Sequence, residues 1–423
     1  MLSSRHSAPR VLFAFWCLLL AVGLSSLGYA QGRAVHGYRR TGDRSAPPRT
    51  VTADYMATNY PISRSLRQSV SRRGIVSALF ALRPKVLVVS MFELEALAWL
   101  DQYEPSLYGY NITVPGLSPA FDQVHCTARG DVCQVTTGEG EINAAATMNA
   151  LFLSDKFDWR QTYFLIAGVG GISPHQGTLG TAAFARYAIQ VAQQYALDRK
   201  DAPAEWNYTY WNYNTKEPDQ YPLLTYGTEV FALNAALAER AYNVSKTQAE
   251  SKLNDTADAR AYRARFDFAP ANESPKVILG DVTTSDLYFA GVTLATQFEQ
   301  VVTTLTNGSA IYATTAQEDN ATLEALVRAQ RAGRADYSRA ILLRTGSDFE
   351  RAPPGLTEYE AFEYPQGGFG PASANVFIAG LPVVQDILTN WEGAFKHGVP
   401  HQTGFYGDIW QTLSLPLGQA PVL

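Results

Sequence analysis

Four short segments carry the residues of this 423-residue chain best suited to chemistry. They are Gly138-Glu139-Gly140-Glu141-Ile142-Asn143-Ala144-Ala145, Ala167-Gly168-Val169-Gly170-Gly171, Gly280-Asp281-Val282-Thr283-Thr284-Ser285-Asp286-Leu287-Tyr288 and Arg344-Thr345-Gly346-Ser347-Asp348. Each closes an apolar run that reads as a buried strand. Each sets small, hydroxyl or acidic residues at the carboxyl end of that run, where open α/β sheets bind ligands. Together the four predict one small-molecule site assembled from several strand ends. A carboxyl group in such a pocket can hold a proton for transfer, because desolvation raises its pKa.

The elements that must position these residues follow from periodicity. Val86 to Val89 is a β-branched run fit for a central strand. Glu93 to Trp99 reads as a helix, and a hairpin follows around Cys126 and Cys133. Asn143 to Leu153 looks helical, Tyr163 to Ala167 is a buried strand, and Thr181 to Tyr195 reads as an alanine-rich helix. Residues 198–275 interrupt the rhythm with Trp206, Tyr208, Tyr210, Trp211, Tyr213, Tyr221 and Tyr226, then helical stretches at Thr228 to Tyr242 and near Asp258 to Arg265. This region is expected to be an inserted helical and aromatic lid, its rings serving either lid packing or ligand stacking. Strands return at Val277 to Leu279, Ala310 to Tyr312 and Ala340 to Leu343, with a helix from about Glu318 to Arg331. Strands alternating with helices predict an α/β fold: a mixed, mostly parallel central sheet flanked by helices.

Three regions are expected: 1–30, 31–84 and 85–423. Arg5 and Arg10 precede an apolar run from Val11 to Leu27, and Gly28-Tyr29-Ala30 supplies small residues. That is the pattern of a cleaved secretory signal, with an uncleaved anchor as the rival. Residues 31–84 hold scattered arginines and few acids, the composition of a disordered leader or of a surface-binding segment. Cys126 and Cys133, an even pair once Cys17 leaves with the signal, favour a disulfide in a secreted chain. Asn111, Asn207, Asn243, Asn254, Asn272, Asn307 and Asn320 each open a glycosylation sequon. The expected location is therefore secreted or at the cell surface. A net charge of −5 gives no reason to expect nucleic acid. No later run of about 20 unbroken apolar residues predicts a span in the mature chain. No metal-ligand spacing occurs among His and Cys.

From about Pro84 to Pro400 the wording of these segments resembles the purine nucleoside permease family. The segments that carry the resemblance include Met91-Phe92, Thr137 to Ala144, Tyr163 to Gly168, Gly177 to Gly180, Tyr226 to Val230, Gln317 to Asn320 and Arg344 to Asp348. More distantly the chain is similar to the nucleoside phosphorylase and nucleosidase superfamily, which cleaves the bond between a purine and its ribose. That resemblance implies a purine nucleoside substrate, no bound cofactor, phosphate as a possible co-substrate, and a possible homo-oligomer. It points to Asp348 as proton donor to the departing purine, oriented by Ser347, with Tyr288 stacking on the base beside Ser285 and Asp286. It places Gly168 and Gly170 beside the water or phosphate. Asp348 has a rival reading as a helix N-cap. Glu95 lies near a water-handling glutamate, but the register is off by one, so Glu93 competes.

The departures concern the sugar and the phosphate. Glu318-Asp319-Asn320 replaces a segment ending in an acid that grips ribose hydroxyls; Asn320 bonds hydroxyls without charge, and Glu318 or Asp319 could take over. An Asn320 lying in the pocket would also block its sequon. No arginine lies in either glycine segment to grip phosphate, and Arg344 on its core strand could pair structurally. A water-using nucleosidase is therefore expected over a phosphorylase, with nucleoside uptake without chemistry as the reading from a different class. His125 and His175 are noted only because pockets often carry histidine.

Overall fold

The structure, a computed structural model, describes residues 81–402 and 407–419. The signal expected over 1–30 and nearly all of the leader expected over 31–84 lie outside the described residues. Among the described residues, Leu82 bridges to Phe157.

Among the described residues, fifteen strands and eight α-helices follow in this order. The first half holds β1 Val86–Ser90, α1 Glu93–Leu100, β2 Tyr110–Thr113, β3 Gln123–Cys126, β4 Val132–Thr136, α2 Glu141–Leu153, β5 Tyr163–Ile172, β6 Ala182–Ala185, β7 Tyr187–Gln190, β8 Gln194–Ala196, β9 Tyr210–Asn212 and β10 Val230–Ala232. Then come α3 Ala235–Ala249, α4 Ala257–Arg263, β11 Val277–Leu279, β12 Asp281–Thr284, α5 Val292–Thr306, β13 Tyr312–Ala316, α6 Asp319–Arg331, β14 Ala340–Phe349, α7 Glu358–Glu363, α8 Phe369–Thr389 and β15 Gly407–Asp408.

Thirteen strands form one mixed sheet, with path β15-β10-β7-β12-β13-β5-β1-β4-β3-β2. β14 pairs with β5 and β6, and β6 with β11, so this part curls away from the path. β1 is parallel to both β4 and β5, and β14 is parallel to β5. β13 runs antiparallel to β5, which turns its carboxyl end toward the middle of that strand.

β1 shows why the sheet is central. All five of its residues are buried, and they alternate between two cores as the period of two requires. Val86 and Val88 join Trp99, Leu165, Leu343 and Val376 on one face. Leu87 and Val89 join Phe164, Ile166, Met148 and Leu326 on the other. Each such side chain contributes roughly 1.5–3 kcal/mol of burial. Helices α1, α3 and α8 pack on the first face, while α2 and α6 pack together over the second.

One expected helix is strand, and a second is helical only in its later half. Thr181 to Tyr195 holds β6 and β7 instead. The alanines of β6 lie between β14 and β11, where small side chains let neighbouring strands and helix α3 close in, so packing overrides helix propensity. Thr228 to Tyr242 opens with β10, and helix begins only at Ala235 under an Asn234 cap. In the inserted region, β9 forms a two-stranded ribbon with β8, and aromatic rings pack on one another: Tyr195 on Trp211 at 5.3 Å and Tyr213 on Tyr226 at 4.9 Å between centroids. Its second half returns to the main body through β10 and α3.

Among the described residues one helix, α8, is long and apolar enough by composition to cross a membrane, and 56% of its apolar window is buried inside the protein. Asn375 and Gln385 interrupt its apolar run in sequence. Packing against β14, β5, α1 and α3 accounts for its composition as a core helix.

Candidate functional site

The four segments do converge, though not all at strand ends. Gly168 to Gly171 and Arg344 to Asp348 lie inside the ten-residue strands β5 and β14. The parallel register pairs Arg344 with Gly168 and Gly346 with Gly170, then slips so that Asp348 faces Gly171. Ser347 is the extra residue of this bulge. Bulges re-aim side chains beside sites, and here Asp348 is a strand residue, not a helix cap.

Asp348 is half-buried. Its Oδ2 accepts from the Tyr288 hydroxyl at 3.2 Å, and its Oδ1 lies 2.6 Å from Ser347 Oγ. Burial pushes its pKa up, and the Ser347 and Tyr288 bonds pull it partly back. Ser347 Oγ also lies 3.0 Å from the Gly170 carbonyl. One hydroxyl proton cannot serve both acceptors. The Ser347 hydroxyl can rotate to donate to either the Asp348 carboxylate or the Gly170 carbonyl. Tyr288 is 61% exposed, and its ring meets Phe362 edge-on at 5.9 Å. Ser285 is buried, and its hydroxyl accepts from the Leu287 amide, which shapes the loop that carries Tyr288.

Glu95 and Glu93 separate cleanly. Glu93 is exposed on α1, whereas Glu95 is buried. The Glu95 carboxylate accepts from the Met91 and Val169 amides, both at 2.7 Å. Burial raises its pKa to about 7, against the pull of Arg344 and the two amides. Gly168 is required here, because a Cβ at that position would overlap both the Glu95 carboxyl and the Arg344 guanidinium. A Cβ on Gly170 would overlap the Thr315 carbonyl of β13. The two glycines therefore draw strands and carboxyl together.

Arg344 fills the centre of the cluster. Its Nε and Nη2 grip Asp319 at 3.0 and 2.7 Å, its Nη2 also reaches Glu318 at 3.2 Å, and its Nη1 donates to the Val169 carbonyl at 2.9 Å. Asp319 and Glu318 are both buried. Burial raises the Glu318 pKa, opposed by Arg344. Asn320 is turned inward. It accepts from Thr284 at 2.7 Å and donates to the carbonyls of Thr228 and Glu229, so its polar atoms are used inside the protein and its sequon is buried.

At the first turn of α2, the Gly140 amide donates to Glu318 at 3.0 Å and the Glu141 amide to Asp286 at 2.8 Å. The Gln190 amide, at the end of β7, donates to the Glu141 carboxylate. Sequence reasoning did not single out Glu141 or Gln190. Glu141 lay in view within the glycine segment. Gln190 was hidden in the stretch read as helix.

The two noted histidines make aromatic and polar contacts of their own. His125 on β3 pairs with Asn111 at 2.7 Å, and burial lowers its pKa. His175 stacks on Phe268 at 5.2 Å. Cys126 and Cys133 face each other across β3 and β4 and are joined by a disulfide.

Comparison with known proteins adds the following. The family model for purine nucleoside permease matches residues 83–400. A purine nucleoside permease of Candida albicans is 41% identical over 371 residues, covering 86% of this chain and 89% of that protein. A probable purine nucleoside permease of Schizosaccharomyces pombe is 34% identical over 330 residues, covering 76% and 94%. Among solved structures, a 5′-methylthioadenosine/S-adenosylhomocysteine nucleosidase of Neisseria meningitidis is similar with a TM-score of 0.44 at 14% identity, covering 72% of this chain and 99% of that one. A futalosine hydrolase of Helicobacter pylori gives 0.45 at 12%, covering 72% and 98%.

Proposed function

This chain belongs to the purine nucleoside permease family, and we propose that it binds purine nucleosides and hydrolyses their N-glycosidic bond. The observation that carries this reading is Asp348 hung on the Ser347 bulge beside the Tyr288 ring, bonded by both hydroxyls, with burial raising its proton affinity. A proton donor is what a departing purine needs, because the broken bond leaves its electron pair on the base.

The step balances as follows. Water oxygen attacks the anomeric carbon while its proton passes to the Glu95 carboxylate. The bond to the purine nitrogen breaks, and the ring takes the Asp348 proton. The products are free base and free sugar, and solvent exchange returns Glu95 and Asp348 to their starting states. A base whose pKa is about 7 is well matched to such work near neutrality. Tyr288 supplies a stacking face beside the acid and shares its hydrogen bond. The signal-like amino terminus supports a reaction outside the cell, where released base would feed uptake; this agrees with the name the relatives carry.

The test is chromatography of adenosine, inosine and guanosine incubated with the purified protein, with and without phosphate. Free base in phosphate-free buffer is the expected result. Intact nucleoside alongside measurable binding would overturn hydrolysis and support an uptake component that binds without chemistry.

A further inference from the structure

We propose that Arg351 is a positioning residue: with Glu350 and Glu299 it clasps the loop that carries Tyr288 to the strand end that carries Asp348, and so fixes the stacking ring and the acid relative to each other. This inference rests on the purine reading given above. Arg351, Glu350 and Glu299 themselves have no part in the proposed chemistry.

Tyr288 and Asp348 come from segments 60 residues apart. The Tyr288 loop leaves β12 at Ser285, whose amide donates to the Ala316 carbonyl at 3.1 Å, and enters α5 through Gly291, whose amide donates to the Glu350 carbonyl at 2.7 Å. Gly291 takes a φ of +105°, a turn that glycine makes without steric cost. The exit anchor of the loop is therefore the residue two places beyond Asp348. The Glu350 side chain is buried. One of its oxygens accepts from Arg351 Nε at 2.9 Å, and the other has no partner among the described residues. Arg351 Nη2 reaches onward to Glu299 of α5 at 2.9 Å, and the guanidinium lies over the Tyr312 ring of β13 at 5.7 Å. One planar fork thus joins the end of β14, the start of β13 and the helix that follows Tyr288, and a fork fixes direction as well as distance. Removing it leaves the Glu350 carboxyl buried with neither oxygen bonded, which favours a shift of the segment that anchors Gly291. α5 keeps its own packing through Phe298, Val302 and Leu305, so the helix stays folded while its loop loses a fixed seat.

The experiment measures affinity for free adenine by calorimetry, well below the melting temperature, so that no turnover is needed. Arg351→Met should bind adenine roughly tenfold more weakly, since a misplacement of about 1 Å at a site can cost up to ~10²-fold. In a Tyr288→Ala background the same substitution should cost little more, because the clasp acts through that ring. Arg351→Lys keeps the charge but lacks the fork, and should fall between native and Arg351→Met. Should Arg351→Met fail to fold, Glu299→Gln cuts the exposed half of the clasp and should weaken adenine binding several-fold. Arg240→Met is the control. It breaks the Arg240–Asp386 pair between α3 and α8, and should lower the melting temperature with adenine affinity unchanged. Native affinity in Arg351→Met or Glu299→Gln, a loss that is the same with and without Tyr288, or an equal loss in Arg240→Met would overturn the proposal. A native protein that binds no adenine would overturn the purine reading and this inference with it. Failure of hydrolysis alone would show separately, as intact nucleoside in phosphate-free buffer.

Discussion

Arg344 and Asp348 share one strand and lead opposite lives. Arg344 is 2% exposed and gives every side-chain nitrogen to a protein acceptor. Asp348 is half-buried, hangs from a bulge, and is held by two hydroxyls. The first charge is neutralised where it stands and builds a frame that fixes Asp319, Glu318 and β5. The second has no cation bonded to it and meets only the Ser347 and Tyr288 hydroxyls. Charged residues with saturated partners position a site, whereas unsaturated ones remain available for proton transfer.

The sharpest way to break this contrast is Asp348→Asn. Cleavage should fall by ~10²–10⁴ while thermal melting is unchanged, measured by initial rates and melts on one preparation. Retained cleavage would remove Asp348 from the chemistry. Arg344→Met should do the reverse. It leaves Asp319 and Glu318 buried without a counter-charge, at a cost of about 3–5 kcal/mol in denaturant unfolding. A fully stable variant would mean the frame lies elsewhere.

Glu95 sharpens the comparison through pH. Its folded pKa, about 7, lies above the ordinary carboxylate value, so the folded state binds its proton more tightly. The stability it contributes is complete below about pH 4.5 and is lost as pH rises through about 7, with a slope of up to roughly 1.4 kcal/mol per pH unit between them. Glu95→Gln should flatten that part of the stability profile. The same ionisation should make kcat/KM rise with pH toward neutrality in the native protein, and a flat profile there would exclude Glu95 as the base. The smallest effect is expected at Tyr288→Phe. Losing one hydrogen bond to Asp348 removes about 0.5–1.5 kcal/mol, a several-fold fall in kcat.

Much of the sheet was legible because buried strands write themselves as apolar runs. Val86 to Val89, Val277 to Leu279 and Ala340 to Leu343 are strands as their composition implies. Helices α1, α2 and α6 lie within two residues of expectation at each end. β6 and β7 were not legible, because alanine favours helix locally and only the neighbours of these strands reward extension. In the site, residue types announced a pocket but not their division of labour. Sequence could not separate Glu95 from Glu93, since about half a turn of helix decides which carboxyl faces β5. It could not show Asn320 turned inward, since Thr284 and the carbonyls of Thr228 and Glu229 come from other parts of the chain.

The sequence by itself determined an α/β sheet, the family and the set of acids, hydroxyls and glycines from which a site could be drawn. Those follow from local composition and order, which each segment carries alone. The tertiary structure decided which acids are spent and which are free. That depends on a one-residue bulge at Ser347, on the close approach allowed by Gly168, and on carboxylates reaching α2 from distant loops. Burial and pairing, the two quantities that set a carboxyl group's proton affinity, exist only once those distant segments meet.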